Sequence, residues 1–246
     1  MVSLSRRLVR SSLCVAGTAA FLLSWSPASA EWFADVYGGA AHTLRSDVTL
    51  IVNGPPGAPA DHAFHKVKWD DSLVYGGRVG YWFESIPWFG VGLDVFHFDA
   101  DIPTQMVPVT ISGATVTATL QEIDFSITAL AFDVVRLRVP LLVSEEHPWG
   151  RLQPQLTLGP ALFFTRAQNK TNSELTTHKA TDTALGFQAG LGASWQIHKY
   201  LAVFGEYRFT HFRAEPVLTG TITGSPIPLE SDINTHQLVV GISFRY

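Results

Sequence analysis

Seven charged residues stand singly inside otherwise apolar, strand-like stretches: Arg78, Asp94, Glu122, Asp124, Glu206, Arg208 and Arg245. A strand turns alternate residues to opposite faces, so each of these charges is read on the face opposite its greasy neighbours. Guanidinium and carboxylate groups gathered on such a face can neutralise one another, and out of water they must, because an unpaired buried charge is strongly destabilising. The chemistry this allows is ion pairing. A sharper version is a gate, in which Glu206 exchanges partners between Arg208 and Arg78 and opens a narrow water path.

Two other groupings invite a catalytic or metal reading, and both fall short. His211 could serve as a base, but His211-Phe212-Arg213 offers no hydroxyl two residues on, so acyl transfer has no nucleophile to start from. Asp61-His62-Ala63-Phe64-His65, with His42, supplies zinc-type ligands. The neighbouring Gly54-Pro55-Pro56-Gly57 marks an irregular turn, and ligands at i and i+3 without a helix are poorly organised. These are expected to be solvated loop residues. No metal, no cofactor and no catalytic residue is expected.

Eight strands must position the charges. The first, Trp32 to Ala41, puts Ala34, Val36, Gly38 and Ala40 on the face of Trp32. The second, Tyr75 to Phe83, sets Tyr75, Val79, Tyr81 and Phe83 against Arg78, and the third, Phe89 to His97, sets Val91, Leu93 and Val95 against Asp94. In the fourth, from Glu122 to about Val134, Ile123, Phe125, Ile127, Ala129 and Ala131 are expected outward, with Asp124, Ser126 and Thr128 inward; the alternation breaks at Asp133, where a bulge or strand end is expected. The fifth, Leu152 to Phe163, opposes Leu156, Leu158 and Leu162 to Gln153, Gln155 and Thr157, with Pro154 and Pro160 weakening the reading. The sixth alternates cleanly from Leu185 to Ile197. The seventh, Leu201 to Phe209, turns Val203, Tyr207 and Phe209 out and Glu206, Arg208 and Thr210 in. The last carries Leu238, Val240, Ile242, Phe244 and Tyr246 on one face and Arg245 on the other.

Long polar links follow the first, third, fifth and seventh strands, and short ones follow the second and sixth; the link 135–151 is intermediate. Long loops on one rim and tight turns on the other suit a barrel that crosses a bilayer. In hydrocarbon no backbone amide finds water, so the sheet must close and leave no edge. Trp82, Phe83, Trp88, Phe89, Trp195, Tyr200 and Tyr246 near the short turns, and Tyr37, Tyr75, Phe98 and Phe209 towards the long loops, read as two interfacial girdles. Within the long links, Val107 to Ile111, Ser112-Gly113 and Val116 to Leu120 read as a hairpin, and Val48 to Val52 and Val217 to Ile222 as strand extensions. A ten-stranded barrel would result if such a hairpin entered the membrane.

The chain opens as an exported protein would. Arg6, Arg7 and Arg10 precede an apolar stretch from Leu13 to Leu23 and the small residues Ala28-Ser29-Ala30. Residues 1–30 are expected to be a signal peptide cleaved after Ala30, leaving a barrel over 31–246. A twin-arginine route would carry the barrel folded through water, and Leu13 before Cys14 does not suit a lipoprotein. The one cysteine, Cys14, leaves with the leader, so disulfide and thiol chemistry are excluded from the rest. With a net charge of −4 and a leader that removes arginines but no acids, nothing favours nucleic acid.

The segments Leu201-Ala202-Val203-Phe204-Gly205-Glu206-Tyr207-Arg208-Phe209-Thr210 and His236-Gln237-Leu238-Val239-Val240-Gly241-Ile242-Ser243-Phe244-Arg245-Tyr246 resemble the end of the small outer-membrane β-barrel family, which includes the OmpA transmembrane domain, OmpX and the opacity-type porins. Arg151-Leu152-Gln153-Pro154 and the glycine-rich first strand are similar to it too; Gln155, where such proteins often have tyrosine, and the long 135–151 turn depart from it. The resemblance implies an all-β, eight-stranded antiparallel transmembrane β-barrel with long extracellular loops and mostly short periplasmic turns, in the outer membrane of a Gram-negative bacterium. Leu238, Val240, Ile242, Phe244 and Tyr246 would form the insertion signature met by the barrel-assembly machinery. Lipid A deacylases of similar barrel size place a serine two residues after an outward histidine; Arg213 stands there instead. The implied protein is a non-enzymatic, monomeric structural barrel or narrow porin with a charge-paired lumen, in contact with outer-membrane lipids. The alternative is an adhesin whose loops meet an extracellular ligand.

Overall fold

The computed structural model describes residues 31–51, 61–169, 180–219 and 226–246. The leader, Gly54–Gly57 and the far end of the 217–222 extension lie outside them. Thirteen strands are present among the described residues. Eight of them close the barrel: β1 (Glu31–Thr43), β4 (Ser72–Trp82), β5 (Phe89–Asp99), β8 (Ile123–Arg138), β9 (Leu152–Asn169), β10 (Ala180–His198), β11 (Leu201–Ala214) and β13 (Pro226–Arg245). Each pairs antiparallel with the next, and β1 pairs with β13 from Phe33↔Arg245 to Thr43↔Thr235, so the ring has no free edge. The fold is the expected closed eight-stranded barrel.

The remaining strands belong to the long links. β2 (Ser46–Leu50), β3 (His62–Val67), β6 (Gln105–Ile111) and β7 (Ala114–Leu120) extend β13 sideways in the order β13–β2–β3–β6–β7, and β12 (Val217–Thr219) also pairs with β13. The expected hairpin is β6–β7, turning on Ser112 (φ 53°) and Gly113 (φ 83°), the two positive-φ positions that a tight hairpin turn demands. It joins the raised sheet and not the barrel wall, so the ring stays at eight. Several wall strands run well past the expected ends, because the sheet continues beyond the band that faces lipid.

The outer face of the wall is apolar. Leu238, Val240, Ile242, Phe244 and Tyr246 are all exposed, as are Leu185, Leu191 and Ile197 on β10. Alternate residues on the same strands, such as Arg245, Gln188 and Ser194, are buried inside. The parity read for β4, β5, β9, β10, β11 and β13 is the observed one.

On β8 the expected parity is reversed. Ile123, Phe125, Ile127, Ala129 and Ala131 face inward and are buried, while Asp124, Ser126 and Thr128 face outward. The register against β9 then shifts between Ala131 and Val135, a bulge at the place where the alternation breaks, and below it Asp133, Arg136 and Arg138 point inward. Three girdle residues also lie inside: Trp82, Tyr37 and Phe98 are buried in the lumen.

Candidate functional site

The lumen has two storeys. The lower one, towards the short turns, is a layer of ion pairs. Arg78, on β4, sits at its centre. Its Nε donates to Asp94 Oδ2 at 3.0 Å, and its two terminal nitrogens donate to the two Glu206 oxygens at 3.0 and 2.9 Å. Asp133 and Asp35 stand 3.5 and 3.7 Å away. Arg208, two residues along β11 from Glu206, donates to Asp94 Oδ2 at 3.0 Å, Glu206 Oε1 at 3.1 Å and the Tyr37 hydroxyl at 3.1 Å. Tyr37 in turn donates to Asp94 Oδ1 at 2.5 Å. Fork-shaped arginine donors matched to carboxylates give the strongest ordinary hydrogen bonds, and here both partners are buried.

The layer continues around the wall. Arg136 donates to Asp133 at 3.1 Å and to Gln155 at 2.7 Å, while Gln188 donates to Asp133 at 2.6 Å. Nearer the rim, Glu31 pairs with Arg138 at 2.5 Å and Arg245 at 3.0 Å. Arg245 also donates to Gln153 at 2.7 Å and Ser194 at 3.0 Å. Five arginines therefore face five carboxylates, so the layer is neutral as a whole. That balance is what permits so much charge among buried side chains. Room for it comes from glycine: a Cβ on Gly190 would lie 2.4 Å from Thr157 Oγ1 and 3.2 Å from Glu206 Oε1.

The upper storey is mostly apolar, with Thr165, Thr210 and Thr235 buried in it as well. Phe163 and Phe212 stack with centroids 4.1 Å apart, Phe96 meets Phe163 edge-on, and Phe98 lies beside Phe96. Trp69 closes over Phe125 at 5.3 Å and donates its indole N–H to Ser46. The seam between storeys is a cation–π contact: the Arg208 guanidinium lies 4.7 Å from the Phe96 ring centre.

Of the charged residues singled out in the sequence, Arg78, Asp94, Glu206, Arg208 and Arg245 come together in this lumen. Glu122 and Asp124 do not, and the expectation for them is corrected. Glu122 lies in the link before β8, and Asp124 faces out at the long-loop rim because the parity of β8 is inverted above its bulge. Asp35, Tyr37, Asp133, Arg136, Arg138 and Glu31 also belong to the layer, although the sequence pattern sets Tyr37 in a girdle and marks Asp133 as a break in alternation. Asp35 and Tyr37 alternate with small outward residues that mimic a greasy face, and Asp133 sits in the bulge that hid its direction. Glu206 holds Arg78 and Arg208 at the same time, so no exchange of partners is needed to satisfy it.

The other candidates disperse. His211 faces outward against Asn234 at 2.8 Å, Phe212 turns inward, and Arg213 is held by Glu230 and by Glu215 at 2.9 Å. His42 pairs with Asp71, and His65 with Asp47 and Thr110, so the two histidines are drawn to different partners. Asp47, in the raised sheet, also accepts the Lys66 backbone N–H at 2.9 Å. That hydrogen bond, then the His65 ring, holds its carboxyl below the usual carboxylate range.

The family model for the outer membrane protein beta-barrel domain matches residues 16–246. The chain belongs to this family. Membership places it in the bacterial outer membrane, with the apolar face of the wall against lipid. Among solved structures it is similar to the outer membrane protein OprG from Pseudomonas aeruginosa, at 14% identity and a TM-score of 0.58, over 87% of this chain and 95% of that one. It is also similar to Neisserial surface protein A, at 9% identity and a TM-score of 0.44 over 89% and 98%, and to the attachment invasion locus protein Ail of Yersinia pestis, at 9% and 0.43 over 88% and 98%. At 14% identity the likeness to OprG is one of fold alone. Comparison with curated proteins finds no match.

Proposed function

We propose that this protein is a non-enzymatic outer-membrane barrel whose interior is sealed, and whose work is done by the wall as a structural element and by the sheet it raises above the long-loop rim. The observation that carries this is the lower storey: Arg78, Asp94 and Arg208 are at most 1% exposed and bonded to one another across the lumen, leaving no ring of solvated charge to conduct ions. The stacked phenylalanines above offer an ion no polar substitute for its hydration shell. The sealed layer speaks for the structural barrel over the narrow porin. The enzyme reading lacks a nucleophile beside His211. The leader is removed after Ala30, the short turns face the periplasm, and the long loops with their strands β2, β3, β6 and β7 face outward.

Planar-bilayer recording of refolded residues 31–246 tests the seal. No discrete conductance steps are expected from the wild-type protein. Stable single-channel openings would replace the sealed barrel with a narrow porin. Glu206→Ala unpairs one end of both Arg78 and Arg208, and flickering leak confined to that variant would identify the ion-pair layer as the barrier.

A further inference from the structure

The closed wall has no edge, but the sheet it raises does. In the order β13–β2–β3–β6–β7, no described strand covers the far side of β7. Natural sheets usually blunt such an edge with charge, proline or a bulge. β7 has none of these: Ala114-Thr115-Val116-Thr117-Ala118-Thr119-Leu120 is uncharged and proline-free, and its register against β6 is unbroken over seven pairs. Residues 114–117 and Thr119 are exposed, Val116 at 51%.

The same strand reads nearly alike in both directions about Thr117. Its odd residues, Thr115, Thr117 and Thr119, share one exposed face, and Thr115 continues a threonine row through its hydrogen bond to Thr110. Its even residues lead to Ala118 and Leu120, which pack with the core of the raised sheet. We propose that β7 pairs antiparallel with β7 of a second copy of this chain, in the register centred on Thr117. In that register Thr115 stands opposite Thr119 and Thr117 opposite Thr117, while on the other face Val116 stands opposite Ala118. Threonine meets threonine, apolar meets apolar, and no like charges oppose. A slip of one residue would set every threonine against an apolar side chain, and a slip of two, which keeps threonine on threonine, would shorten the paired stretch from seven residues to five. The resemblance implies a monomer; the barrel wall is edgeless, and the raised sheet supplies the edge that the wall lacks. This pairing is independent of whether the lumen conducts.

The test uses residues 31–246, which contain no cysteine. Thr117→Cys and Thr115→Cys are refolded separately into phospholipid vesicles and mildly oxidised. Directly opposed residues bring Cβ atoms within disulfide reach, so Thr117→Cys should give about tenfold more covalent dimer than Thr115→Cys, whose counterpart lies four positions away in that register. Thr117→Lys, which places two ammonium groups face to face, should abolish chemically cross-linked dimer while the barrel keeps its folded gel mobility. Equal yields from the two cysteines, no dimer from either, or dimer that survives Thr117→Lys would each overturn the proposal.

Discussion

The two storeys of the lumen fill similar space by opposite means. Below, Arg78, Arg208, Asp94 and Glu206 hold each other through directed hydrogen bonds, and Arg136 and Gln188 hold Asp133 beside them. Above, Phe163, Phe212 and Ile127 hold by contact area. Directed bonds tolerate no missing partner, because the group left behind is a buried charge. Packed rings lose only area and contact when one shrinks. The lower storey should therefore be brittle and the upper one forgiving.

The largest effect is expected from Arg78→Ala, which leaves Arg208 as the one arginine bonded to Glu206 and Asp94 and the layer one positive charge short. Removing one partner of a buried pair costs about 3–5 kcal/mol, readable in urea unfolding from lipid vesicles. Arg78→Lys should recover little of this, since an ammonium cannot span both Glu206 oxygens and Asp94. Next come changes that move charge to the wrong side of the wall. Leu191→Arg or Ile242→Arg should destabilise by roughly 2–4 kcal/mol if near the midplane. Equal tolerance of arginine on the two faces of β13 would contradict the lipid contact assigned to Ile242. A conservative change in the upper storey, Ile127→Val, should cost about 0.5–1.5 kcal/mol in the same assay. If it matched Arg78→Ala, the contrast between the storeys would fail.

The smallest effect lies outside the wall. The Asp47 carboxyl has a lowered pKa, so its bonds to Lys66 N–H and His65 support the β2–β3 pair above the unfolded carboxylate pKa, about 3.9. That support fades as pH falls through the lower, folded value. The Lys66 amide resonance should move on this acid limb in the wild-type protein and stay still in Asp47→Asn.

The storeys also differ in how plainly the chain announces them. Where the interior is charged, polar and greasy residues alternate against lipid, and Arg78, Asp94, Glu206, Arg208 and Arg245 could be assigned from parity alone. Where the interior is itself apolar, the rule that grease faces lipid has nothing to discriminate. It reversed β8, whose Phe125 and Ile127 fill the lumen while Asp124 and Ser126 face out near the long-loop rim. It also drew Tyr37, Phe98 and Trp82 into girdles, although Trp82 lies inside with the Arg138 guanidinium 4.3 Å from its ring. The strand count, the hairpin turn at Ser112-Gly113 and the bulge near Asp133 are local signals and were readable. Partners within the ion-pair layer are separated by up to 214 residues, and only closure of the ring brings Arg245 to Glu31.

The central claim is that both storeys exclude water, and thiol labelling measures this directly. Ser194→Cys probes the lower storey and Ala129→Cys the upper, each a small change at a buried site, with Met106→Cys on the exposed raised sheet as reference. With a membrane-impermeant reagent added to both sides of a bilayer, Met106→Cys should label rapidly while Ser194→Cys and Ala129→Cys stay unmodified in the folded barrel. Labelling of either lumen site at a rate near that of Met106→Cys would show a water-filled passage and contradict the sealed interior.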